Sequence, residues 1–163
     1  MSISKSIIGT AGEYYVCAEL CRRNILALIT PKNNPLFDIV ATDTVGKRRV
    51  AIQVKTMGIG NKQGWKLSKD IVKKQRNPNL FVVLVNMKKD GMNEYYIYEY
   101  DKLSKRIQEV YNDYIGRPKK DGSRRKDVKF RWFDLRYFSK NDKSRLNNWE
   151  LLGFGIPDHN RGI

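Results

Sequence analysis

The sequence is poor in the residues that most often carry covalent or metal chemistry. It has one histidine, His159, near the C-terminal end, and two cysteines. A Ser-His-Asp or Cys-His arrangement has little to build on, and a histidine-rich metal site has less. Cys17 and Cys21 share one face of an expected helix; they supply no disulfide framework and would need two more ligands to hold zinc.

Long apolar runs are missing as well. No segment approaches the roughly 20 apolar residues of a membrane-spanning helix. The opening MSISKSIIGTAGE lacks the apolar core and cleavage site of a signal peptide. A cytoplasmic location with no membrane partner is the expectation. The glycine-rich stretch TMGIGNKQG lacks the Gly-Lys-Ser/Thr ending of a phosphate-cradling loop, which disfavours a nucleoside triphosphate site. Neither an internal repeat nor a low-complexity segment is present.

Acidic residues are scarce relative to basic ones: 17 Asp and Glu face 32 Lys and Arg, a formal net charge of +15. That surplus points to a polyanionic partner. Nucleic acid fits better than an anionic membrane, because the basic residues do not alternate with an exposed apolar face. Hydrophobic residues at 40% and charged residues at 30% are ordinary for a folded chain, and 163 residues suffice for one domain with a real core. A single domain over 1–163 is expected, with a basic loop and an aromatic C-terminal extension at about 116–163.

Periodicity outlines the elements. Helical spacing runs from about Gly9 to Asn24, with Val16, Cys17 and Leu20 on one side and Glu13 on the same side. Ile25 to Ile29 is a short strand ended by Pro31 and the loop PKNNP. FDIVATDTVGKRRVAIQVK, Phe37 to Lys55, reads as two strands joined at Val45-Gly46. Leu80 to Met87 is a continuous apolar run, as in a strand buried on both faces, and Glu94 to Tyr100 is its hairpin partner. Asp101 should cap a helix carrying Leu103, Ile107, Val110 and Tyr114, stopped by Gly116 and Pro118. The aromatic stretches RWFDLRYF and NNWELLGF imply that the C-terminal part packs back onto the domain. The fold class is α/β, a central mixed sheet flanked by helices.

The first hairpin carries the candidate chemistry. With Val45 and Gly46 as its turn, Asp38 lies opposite Gln53, and Lys55 follows on the same face, while Ile52 and Val54 point into the core. An acid, an amide and an amine thus meet at one end of the hairpin. Mg²⁺ takes oxygen ligands and keeps several waters. Asp38, the Gln53 side-chain oxygen and a backbone carbonyl, that of Val54, would form half a coordination shell, which Glu13 could complete directly or through water. Lys55 would orient or deprotonate the attacking water or hold a phosphate oxygen. Mn²⁺ is expected to substitute.

Glu13, Asp38 in FDIV and the strand AIQVK resemble the catalytic core of the PD-(D/E)XK nuclease superfamily, and GTAGE, Gly9 to Glu13, resembles the helix start of the archaeal Holliday-junction resolvases. The resemblance covers the first third of the chain. It implies a restriction endonuclease-like fold and divalent-metal-dependent cutting of DNA phosphodiesters. Two positions depart from the pattern. Phe37 stands where the proline of the name would precede Asp38, and Gln53 replaces the second acid, as in modification-dependent restriction endonucleases of the superfamily.

Further expectations follow. Lys62, Lys66, Arg117, Lys119, Lys120, Arg124, Arg125 and Lys126 are candidates for contacting DNA, double-stranded or branched. Cutting two strands favours a homodimer or larger symmetric assembly. Trp65 is better explained as core or loop anchor than as a DNA contact, and Tyr95, Tyr96, Tyr98 and Tyr100 alternate as packing residues of a strand. Competing readings are an inactive nucleic-acid-binding module of the same fold and an RNA-directed nuclease.

Overall fold

The structure is a computed structural model that describes residues 4–31, 34 and 36–155. His159 and part of the PKNNP loop lie outside the described residues. The first helix, α1, spans Lys5–Cys21 and starts earlier than its apolar spacing implies, because Ser4 caps it and accepts a hydrogen bond from the Ile7 N–H. It ends before Asn24, which takes a left-handed conformation with φ 62° and turns the chain into β1, Leu26–Ile29.

β2 (Ile39–Thr42) and β3 (Arg49–Met57) form the expected antiparallel hairpin, with Ile39 opposite Ile52 and Thr42 opposite Arg49. The register is the one that a Val45-Gly46 turn implies, but the connection is longer. Both strands stop short of the turn, and the Asp43 carboxylate fills the gap by accepting the N–H groups of Lys47 and Arg48 at 2.8 and 2.9 Å. These bonds, that to Arg48 foremost, hold the Asp43 carboxyl below its ordinary range.

β5 (Leu80–Asn86) runs parallel to β3 and is buried along its whole length; β6 (Glu94–Glu99) pairs with it antiparallel. The five-stranded mixed sheet has the order β1-β2-β3-β5-β6. Alternation along β3 splits the core. Val50, Ile52 and Val54 pack with Val16 and Leu20 of α1 on one face, whereas Met57 and the partly buried Ala51 lie with the core of the other face, under α2.

The helix α2, Tyr100–Gly116, has Glu99 at its N-cap. Asp101 is not the cap: its carboxylate accepts the N–H groups of Gln75 and Arg76, so a distant loop takes the side chain that local spacing assigns to the helix end. Two short strands carry no local signal. β4 (Trp65–Ser68) and β7 (Phe130–Phe133) pair antiparallel as a second, two-stranded sheet. Trp65 is core, and its indole N–H donates to the Val85 carbonyl at 2.9 Å. The tyrosines of β6 are buried, and Trp149 and Leu152 join the α1-side core, so the C-terminal part does pack back. A one-turn helix, α3 (Lys140–Lys143), precedes them.

Candidate active site

The site begins with a glycine. Gly12 faces β3 so closely that a Cβ there would lie 1.8 Å from Thr56 Oγ1, so α1 can approach the strand only because residue 12 has no side chain. Gly9 meets no such neighbour. Close approach at Gly12 sets the next residue, Glu13, half-buried beside the sheet. The Glu13 charge reaches one turn along the helix: burial foremost, then Cys21 and Glu13, push the Cys17 thiol up to about 11. Both cysteines are free thiols.

Asp38 stands where β2 leaves β3. Its own N–H donates to the Ile52 carbonyl at 2.9 Å, and its carbonyl accepts from the Thr30 N–H at 2.8 Å, so the backbone is held from both sides. Its Oδ2 accepts the Val54 N–H at 2.7 Å, replacing the ladder carbonyl that β2 no longer supplies. In an antiparallel pair the N–H and C=O of one residue face the same neighbour. The Val54 carbonyl therefore turns toward the side where Asp38 sits.

Glu13 and Asp38 line one cleft of about 280 Å³, together with Thr10, Thr30 and Asn34. Gln53 and Lys55 line a second cleft of about 430 Å³, walled by Leu36, Leu67, Ser68, Asp70 and Lys73. The structure thus places the four residues in two separate clefts and not around one point, as a shared hairpin face would; Val54 lies between Gln53 and Lys55 in sequence and is bonded to Asp38. Among the described residues no three His, Cys, Asp or Glu side chains gather as a metal cluster. A cation at this end of the hairpin would lean on two carboxylates and neutral oxygens. All of these donors are hard oxygens, which suits Mg²⁺ or Mn²⁺ and not a thiophilic metal.

Of the candidate DNA contacts, Lys62, Lys66, Arg117, Lys119, Lys120, Arg124 and Lys126 are exposed and Arg125 is half-buried. The basic stretch after α2 has no helix or strand over 117–129. Some of its charge is already engaged: Arg117 pairs with Asp113 at 2.6 Å, and Arg125 donates to the Arg117 carbonyl at 3.0 Å. Sequence reasoning passed over the Ser68–Lys73 wall of the second cleft, since it depends on the β4–β7 pairing. The capping signal at Ser68, which accepts from the Asp70 N–H, was the one local clue to a turn there.

No helix among the described residues is long and apolar enough to cross a membrane. No family model matches the sequence, and no curated protein matches it. Solved structures do. A Holliday junction resolvase from the archaeal hyperthermophile Archaeoglobus fulgidus is 17% identical, with a TM-score of 0.45 over 80% of this chain and 86% of that one. A bacterial homing endonuclease is 12% identical, with a TM-score of 0.55 over 92% of this chain and 93% of that one. The fold is restriction endonuclease-like, as the motifs of the first third imply.

Proposed function

We propose, on a restriction endonuclease-like fold with this hairpin geometry, that the chain is a divalent-metal-dependent endonuclease that hydrolyses DNA phosphodiester bonds. One observation carries the reading. The Asp38 carboxylate is fixed by the Val54 N–H at the point where two strands part, with Glu13 in the same cleft and Gln53 and Lys55 on either side of Val54.

Glu13, Asp38, Gln53 and the Val54 carbonyl would hold Mg²⁺, with Mn²⁺ as a substitute. When bound, the ion neutralises charge on the scissile phosphate and acidifies water. Gln53 contributes a neutral oxygen where the family pattern has an acid, so the donor set carries the charge of two carboxylates and matches a divalent cation without excess. Lys55, an ammonium on a half-buried strand position, offers three donors to a phosphate oxygen or to the attacking water. The exposed lysines and arginines supply salt-sensitive affinity for the backbone and little sequence reading. DNA, double-stranded or branched, is the proposed substrate, and cutting two strands favours a homodimer in the cytoplasm.

The test is nicking of supercoiled plasmid in Mg²⁺ or Mn²⁺. The Lys55→Ala variant is expected to lose at least about 100-fold in rate while still binding DNA. Equal behaviour of the two proteins with good binding would instead favour a module that keeps the fold without the chemistry. Preference for RNA in the same assay would move the substrate assignment.

A further inference from the structure

We propose that the groove between α2 and β7 takes up an unstacked base of single-stranded DNA, at a site separate from the Glu13–Asp38 cleft. The proposal rests on the nucleic-acid reading above but not on the cutting chemistry.

Two sets of rings differ in their burial. Tyr95, Tyr96, Tyr98 and Tyr100 are at most 6% exposed and complete the core. Tyr111 and Tyr114 on α2 and Phe130 and Trp132 on β7 do not. They remain partly or largely open to solvent, and they face one groove of about 430 Å³, a size typical of small-ligand sites. Burial does not account for four rings kept at the surface around one concavity.

Cations accompany these rings. The Arg125 guanidinium lies 4.4 Å from the Tyr114 ring centre and the Lys66 ammonium 4.2 Å from Phe130 and 5.9 Å from Trp132; the Arg131 guanidinium, buried and paired with Asp127, lies 3.4 Å from Tyr111 and adds no free charge. The nearby acids are already neutralised: Asp134 pairs with Arg136 at 2.7 Å and Asp127 with Arg131 at 3.1 Å. Lys62 adds a further charge at the groove. Flat apolar rings held beside positive charge match a polyanion that carries flat rings of its own, which is single-stranded nucleic acid. A duplex keeps its base faces stacked inside, and an apolar peptide would bring no charge to meet the surplus. DNA rather than RNA follows from the proposed substrate.

Trp132 provides a reporter, because Trp65 and Trp149 are only 1% and 3% exposed. The Lys55→Ala protein in EDTA is titrated with an oligothymidylate of about 12 nucleotides and with an abasic strand of the same number of phosphates. The base-bearing strand should quench tryptophan emission and bind about tenfold more tightly than the abasic one. Tyr114→Ala should remove most of that advantage, with thermal unfolding as the control that this exposed position leaves the fold intact. Trp132→Phe should abolish the quench yet keep affinity within about twofold, since a ring remains.

Equal affinity for the two strands would overturn the base site, and a quench that survives in Trp132→Phe would overturn its location. Tighter binding of the corresponding oligouridylate would overturn the choice of DNA. The nicking result is independent of all three, so either reading can fail alone.

Discussion

The N-terminal unit, α1 to β3, and the C-terminal layer after α2 reach the same sheet by different chemistry. In the first, Val16 and Leu20 of α1 pack on Ile39, Ile52 and Val54, and a glycine permits the close contact. In the second, buried charge joins the apolar burial of Phe133, Trp149 and Leu152. Asp142, 1% exposed, accepts from the Tyr98 hydroxyl at 3.0 Å, Arg106 Nε at 2.9 Å, and the N–H and hydroxyl of Ser139 at 2.8 Å each. Arg145 donates to the Ile97 carbonyl and to Glu99 and lies over the Tyr98 ring. The difference concerns what is left for chemistry. Asp142 has its acceptor sites filled, whereas the Asp38 carboxylate accepts the Val54 N–H and its residue lines an open cleft. Apolar fit can hold a carboxylate in place without consuming it.

Substitution of the two aspartates should break that comparison in opposite directions, and the larger effect belongs to Asp38. Asp38→Asn keeps an oxygen that can accept the Val54 N–H, so stability should change by less than about 1 kcal/mol. Its nicking rate should fall by at least about 100-fold. Thermal unfolding and plasmid nicking on the same preparation separate the two quantities. A variant that cuts normally would remove Asp38 from the chemistry.

Asp142→Asn should do the reverse. It removes the buried charge opposite Arg106 Nε, leaving that arginine with the Glu109 carboxylate at 3.6 Å, and should cost about 3 kcal/mol of stability, with nicking at 25 °C unchanged. Burial alone would raise the Asp142 pKa; the Ser139 N–H, Arg106 and the hydroxyls of Ser139 and Tyr98 outweigh it and bring the carboxyl below its ordinary value of 3.8. A depressed carboxylate contributes fully above its unfolded pKa and loses that contribution as pH falls through the folded one. The parent should therefore lose stability steeply below about pH 4, and the variant less steeply. Parallel acid curves would show that Asp142 is not the titrating clamp.

The same contrast governs what the sequence discloses. The hairpin register follows from local alternation, and the buried β5 with its neighbour β6 from a continuous apolar run and a short connection. These are short-range facts. The β4–β7 pairing joins two four-residue strands through register partners such as Trp65 and Phe133, and no periodicity spans that distance. Whatever depends on it was illegible: the Ser68–Lys73 wall beside Gln53 and Lys55, and the groove bounded by Phe130 and Trp132. Asp101 misleads for the same reason, because the groups it bonds, at Gln75 and Arg76, arrive from another part of the chain.

The smallest effect sharpens the account of the N-terminal unit, because two glycines of one motif should respond differently. Gly9→Ala meets no atom of the described residues within 4 Å and should gain about 0.5–1 kcal/mol from better helix propensity. Gly12→Ala brings a Cβ to 1.8 Å from Thr56 Oγ1 and 2.9 Å from Thr56 Cβ, so α1 must lift or the threonine must move. Overpacking of this kind costs about 1–3 kcal/mol, and the same propensity gain offsets part of it, for a net loss of about 1 kcal/mol. Nicking should fall further than that loss explains, because Glu13 rides on the displaced turn. Thr56 Oγ1 is buried and has no hydrogen-bond partner among the described residues, so Thr56→Ala is cheap by itself. In the double variant it should restore part of both stability and rate, a coupling that two independent sites would not show. Strict additivity across that cycle would mean that close approach at Gly12 does not position the glutamate.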